Sequence, residues 1–248
     1  MNRMLGKAMP VHDPRTLMLA DYLTHELPPH PTAIPTPTGI DWGMLANDTI
    51  GDCTCAAIGH LIQYWTYISK GKPDPVTDAE VIKLYSDVSG YDPATGANDD
   101  GAVVLNVLKF VKAHGFAGHK LDGFVSSEPG NIEMQKAAIW HFGGVDTGLA
   151  LPKSAQSQKV WSVPPGGPVG DGERYSWGGH SVMVAWYNLV GPVCLTWGAL
   201  QQMTWGFWKT YCDESHPIVS EAWFNNYGRS YTGLLLPDLL SDLKAISA

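Results

Sequence analysis

Cysteine, basic charge and long apolar runs are all scarce in this 248-residue chain. Its four cysteines, Cys53, Cys55, Cys194 and Cys212, are too few and too unevenly spaced for a disulfide scaffold or a zinc site. Free thiols are expected, with no metal and no other cofactor. Lys and Arg number 16 against 24 Asp and Glu, a formal charge of −8, and no run of basic residues forms a stripe. A nucleic-acid backbone is therefore a poor partner, and a basic ligand is easier to accommodate. No apolar segment reaches the roughly 18 to 20 uncharged residues that cross a bilayer. Residues Met1 to Leu23 carry charge throughout and lack the apolar centre of a secretory signal. The chain reads as cytoplasmic in type, without membrane contact, and long enough for one large domain or two lobes sharing a cleft.

Proline is abundant where helix is not possible. Residues 24–40 hold five prolines, which remove backbone donors and fix φ, so an extended strap is expected. From Cys53 onward Ala57, Ile58, Leu61, Ile62, Tyr64, Trp65 and Ile68 recur at helical spacing until Gly71 and Pro73 end the run. Thr77-Asp78-Ala79-Glu80 has the form of a capping box and predicts a helix to about Val88. Val103 to Val111 predict a third helix stopping at Gly115, and Asn131 caps a fourth through Ile139 to Phe142. After Gly143-Gly144 the period shortens to that of strands: Val145 to Leu151, His180 to Tyr187, Val193 to Trp197 and Met203 to Tyr211, separated by Gly and Pro turns. Residues 217–225 and 237–246 read as short surface helices, with Tyr231 to Leu236 as a last strand. The aromatic group Trp197, Trp205, Phe207, Trp208 and Tyr211 reads as core of the β-rich half.

Two residues in this frame carry chemistry. Cys53, in Gly51-Asp52-Cys53, opens the first long helix, where unpaired N–H groups and the macrodipole favour a thiolate. His180, in Gly178-Gly179-His180-Ser181, opens a distant strand and supplies an imidazole that titrates near neutrality. A carboxylate beside a thiol opposes its ionisation unless it turns away, and Asp52 is expected to cap the helix instead.

Cys…His…Trp-Gly in this order, on a helix start and then on strands, resembles the papain-like cysteine peptidases over residues of about 47 to 211. The likeness is to a distant, bacterial or phage type of relative. Asn47 stands six residues before Cys53, where those enzymes place an oxyanion-binding glutamine, and Gly51 matches their glycine two before the nucleophile. Trp197-Gly198 match the Trp-Gly after the base strand, but the preceding asparagine is absent and Thr196 is the polar side chain left to orient the ring. Asn98-Asp99-Asp100-Gly101 resembles the glycine-bearing wall of the substrate cleft. Thr54 replaces the usual aromatic after the nucleophile, the framework cystines are missing, and no inhibitory pro-region is recognisable.

The resemblance implies an α+β, papain-like two-lobe fold in one domain. Residues 1–46 form an N-terminal extension with the Pro-rich strap, 47–142 an α-rich lobe, 143–236 a β-barrel-like lobe and 237–248 a C-terminal helix. It implies Cys53 as nucleophile, His180 as base, Asn47 at the oxyanion and Thr196 as orienter. Gly51, Asp52, Asp99, Asp100, Gly101, Gly179 and Trp197 would line the site, the acidic pair favouring a basic side chain. Peptide or protein substrates follow from this. The other reading is a weak or inactive papain-fold module that binds or builds within a larger assembly, such as a virion.

Overall fold

The computed structural model describes residues 3–23, 27–225 and 227–246; the ends of the expected extension and C-terminal helix, and residues 24–26 of the strap, lie outside them. Four long helices come first, α1 (Cys53–Lys70), α2 (Asp78–Ser89), α3 (Val104–His114) and α4 (Ile132–Phe142), with a short strand β1 (Leu121–Phe124) before α4. Then follow β2 (Val145–Leu151), β3 (Val160–Trp161), β4 (Gly178–Tyr187), β5 (Pro192–Thr196), β6 (Ala199–Met203), α5 (Trp205–Tyr211), β7 (Cys212–Ser220) and α6 (Pro237–Ala245).

Helix ends follow the capping chemistry of the sequence. Thr77 and Glu80 form both arms of a capping box at α2, and Asn131 accepts from Met134 N–H at α4. Gly71, Gly90 and Gly143 close α1, α2 and α4 in the left-handed region. Helix α1 is buried at every residue from Cys53 to Thr66, and it packs on β4, so the start of α1 is pinned against a strand. Among the described residues the strands form one open seven-stranded sheet, ordered β1-β7-β2-β4-β5-β6-β3, rather than a closed barrel. Strand β2 is buried throughout between antiparallel β4 and β7. The Pro-rich strap lies along the far end of β4, where Ile34 N–H donates to Tyr187 O and the Tyr187 hydroxyl donates to Pro31 O.

Three sequence expectations need correction. Residues 205–211 are helix, not strand: Thr204 caps the turn by accepting from Phe207 N–H, and Phe207, Trp208 and Tyr211 meet the core at helical spacing, so packing overrides aromatic β propensity. Residues 212–220 are a buried strand where a surface helix was expected from 217. The polar run Asp213-Glu214-Ser215-His216 and the following Pro217 disguise it, yet Ser215 Oγ donates to Gln135 Oε1 at 2.8 Å and His216 Nε2 lies 3.2 Å from Glu214, so the polar groups are partnered inside. Residues 231–236 form no strand; only isolated bridges pair Ser230 with Phe224 and Arg229 with Leu235. Strand β1, drawn from the expected α-rich stretch, extends the sheet by pairing with β7.

Candidate active site

The register of β4 against α1 brings the two halves of the site together. Ser181 N–H, one residue past His180, donates to Cys53 Sγ at 3.4 Å. His180 Nε2 lies 2.6 Å from Thr196 Oγ1, while Nδ1 has no partner. The His180 and Trp197 rings stack 4.3 Å apart at 11°. Trp197 and Gly198 both have positive φ between the paired residues Thr196 and Ala199, the geometry of a tight primed hairpin. A bulky side chain there is uncommon, and here the turn lays the indole over the imidazole.

Asn47, Cys53, Ser181, Thr196 and Trp197 border a cavity of about 10 Å³, close to the space of one water. Asn47 Nδ2 donates to Ile50 O at 3.3 Å. The remaining expected site residues divide. Gly51, Gly101, Gly179 and Trp197 face a segment described next. Asp99 is structural: Oδ1 accepts from Gly51 N–H at 2.9 Å and from the Tyr85 hydroxyl at 2.8 Å, tying the loop before Cys53 to the wall. Asp100 is exposed and touches none of these groups.

Asp52 does not cap α1, which corrects the sequence expectation. Its side chain is fully buried, makes no cap bond, and neither oxygen has a hydrogen-bond partner. Burial pushes its carboxyl up to about 8, only partly opposed by the nearby Asn47 amide. A raised folded-state value means stability is fully present below the ordinary carboxylate range and is lost as pH rises through about 8. Asp52→Asn is therefore expected to raise the melting temperature at pH 9, by the equivalent of a few kcal/mol, and to leave it unchanged near pH 4. Equal gains at both pH values would reject the assignment.

The site is covered by the chain's own beginning. Residues 3–8 run between the two walls: Met4 N–H donates to Asn47 O (3.2 Å), Ala102 N–H to Gly6 O (2.7 Å), Lys7 N–H to Gly179 O (3.1 Å) and Ala8 N–H to Ala102 O (3.0 Å). Trp197 Nε1 donates to Met4 O at 3.0 Å, and the Arg3 guanidinium lies over the same indole. Gly6 passes so close to the thiol that its N–H bears on it, and a Cβ at Gly6 would overlap Gly51 O. Across from it, a Cβ at Gly101 would overlap Gly6 O.

Burial sets the electrostatics of the site. Cys53 is 1% exposed and His180 0%. Burial pushes the Cys53 thiol up to about 12 despite the Ser181 N–H, and burial, helped by Arg3, drives the His180 imidazole down to about 3. The thiol is therefore protonated and the ring neutral. Cys55, Cys194 and Cys212 are buried too, all with raised thiols. Among the described residues, no three His, Cys, Asp or Glu side chains gather as a metal site, and no helix is long and apolar enough to cross a membrane.

Sequence reasoning missed the N-terminal segment, and with it Lys7 and the carboxylates that receive it. The segment binds largely through main-chain atoms, which leave no residue signature.

No family model and no curated protein matches the sequence. Solved structures do match the fold. Xylellain, a cysteine protease from Xylella fastidiosa, superposes with a TM-score of 0.65 at 13% identity, covering 88% of this chain and 98% of that one. Digestive procathepsin L 3 of Tenebrio molitor larval midgut gives 0.57 at 10% identity, covering 88% and 75%. Procathepsin B S9 from Trypanosoma congolense gives 0.56 at 12%, covering 88% and 87%. At such identities the likeness is one of architecture, and by that architecture the chain has the papain-like two-lobe fold.

Proposed function

We propose that the chain is a cysteine hydrolase acting on peptide bonds, held in a closed state by residues 3–8. The observation that carries this is the extended segment itself, bound main chain to main chain across Cys53 by Asn47, Ala102 and Gly179. A cleft that holds one extended peptide this way has the donors and acceptors to hold another. The fold neighbours include a cysteine protease and two enzymes named as pro-forms, which fits both the chemistry and the cover.

In this mechanism displacement of the segment readmits water and the substrate takes its place. With Nε2 committed to Thr196, Nδ1 is the nitrogen left to take the Cys53 proton. Sulfur attacks the carbonyl carbon, and the Cys53 N–H and the Asn47 amide receive the oxyanion. Collapse to the thioester expels the amine, which leaves with the proton from His180; water, deprotonated by the same ring, then frees the acid and restores the thiol. Trp197 shields the His180–Thr196 contact by its stack.

The test is cleavage of an unfolded protein by a variant whose segment cannot seat, Gly6→Val. Cleavage is expected, and it should vanish in Gly6→Val/Cys53→Ala. If Gly6→Val neither cleaves nor alkylates at Cys53 faster than at Cys55 or Cys194, the chain is a binding or structural module instead.

A further inference from the structure

Lys7 is a cation out of contact with water. Its side chain is 0% exposed, and Nζ lies 3.1 Å from both Asp213 Oδ1 and Glu214 Oε1 while also donating to Ala8 O at 3.2 Å. The carboxylates are held from behind. Asp213 accepts the Tyr175 hydroxyl, whose ring also faces Nζ at 5.7 Å, and Glu214 lies 3.2 Å from His216 Nε2. Burial alone pushes the Glu214 carboxyl up, but His216 and Lys7 together bring it below the ordinary value.

The backbone makes room for the amine. Gly148 on β2 is the register partner of Glu214 on β7, and a Cβ there would overlap Lys7 Cε. Desolvating an ammonium is costly unless it is paired, so two near-buried carboxylates and an omitted side chain suit a long cationic side chain specifically. The main-chain bonds of residues 4–8 are indifferent to which side chain stands at position 7. When the segment leaves, Asp213 and Glu214 remain side by side with their cation gone, and like charges in a poorly solvated site favour its replacement.

We propose that this socket selects a Lys or Arg side chain of the bound peptide, one residue removed from the residue over Cys53, with Asp213 and Glu214 as the selecting groups and Lys7 as the built-in occupant. This rests on reading the cleft as a peptide site. It transfers the expected preference for a basic side chain from Asp99 and Asp100, which lie elsewhere, to β7.

Binding can be read without hydrolysis. In Cys53→Ala/Gly6→Val/Lys7→Ala the socket is empty and the thiol absent, and acetyl-Lys-Gly-amide, acetyl-Arg-Gly-amide and the norleucine analogue are titrated by calorimetry. The two basic peptides are expected to bind at least about tenfold more tightly than the norleucine one. Asp213→Asn/Glu214→Gln in that background should erase the difference. Equal affinities in a protein that melts cooperatively would overturn the socket; if the triple variant does not melt cooperatively, the same ranking is read from peptide-induced melting shifts of Lys7→Ala. Selective binding in a protein whose thiol proves inert would refute the hydrolase and leave the socket standing. Hydrolysis indifferent to the basic side chain would do the reverse.

Discussion

Gly6→Val is expected to raise the rate of Cys53 alkylation at pH 7 by about a hundredfold, read by mass spectrometry with a small haloacetamide. Four backbone hydrogen bonds and one from Trp197, together with the Lys7 ammonium on Asp213 and Glu214, hold residues 4–8 in the cleft. At about 1 kcal/mol net each, they keep the cover closed in nearly all molecules. A Cβ at position 6 overlaps the Gly51 carbonyl and its Cα. The obstacle is backbone, so no rotamer relieves it. Losing about 3 kcal/mol of closure corresponds to roughly a hundredfold more open protein. Met9, 63% exposed just beyond the segment, gives the control: Met9→Val should alkylate like the parent. An unchanged rate in Gly6→Val would mean that the thiol is buried by the fold itself and that the segment is not its cover.

Side chains that pack or cap were legible in the sequence; main-chain recognition was not. Cys53 could be placed because a glycine-aspartate turn precedes seven apolar or aromatic residues at helical spacing, and His180 because two glycines precede an apolar run of strand type. Gly198 marked the hairpin that carries Trp197, although nothing local says that a tryptophan accepts φ of 47°. Thr196 followed only from the resemblance. Its pairing with His180 depends on a neighbouring strand, which no local pattern encodes. The segment over the site was invisible for a related reason: glycines and backbone groups, not a motif, make its contacts. Strand β7 was misread because Asp213, Glu214 and His216 look like surface residues, when Lys7 from the far end of the chain neutralises two of them. Asp52 reads as a helix cap by residue type, but its side chain is buried and makes no bond to the helix N–H groups it would cap.

With the segment displaced, alkylation of Cys53 is expected to be nearly flat between about pH 5 and pH 8, and to rise about tenfold per pH unit when His180→Ala is added to Gly6→Val. In the closed protein the thiol is pushed up to about 12 and the imidazole down to about 3, so the pair holds one proton, on sulfur. Water removes the burial cost from both, and the proton can pass to the ring, where imidazolium and the start of α1 stabilise the thiolate. In the closed protein Asp52 adds little opposing charge below about pH 8, because burial keeps it protonated there. The thiolate fraction then stays constant until the ring loses its proton. Without His180 the thiol returns toward about 8.5, its thiolate grows in proportion to hydroxide, and the rate spans about a thousandfold over three pH units. A more basic thiolate is intrinsically more nucleophilic, so absolute rates converge near pH 8 and the slope is the readout. Passing the proton from sulfur to ring takes none from solvent, so the ratio of parent to Gly6→Val rates should also be flat. If opening instead charged His180 by itself, that ratio would climb up to about tenfold per unit below about pH 6.5. A slope of one in Gly6→Val with His180 in place would remove the histidine from its role as proton acceptor.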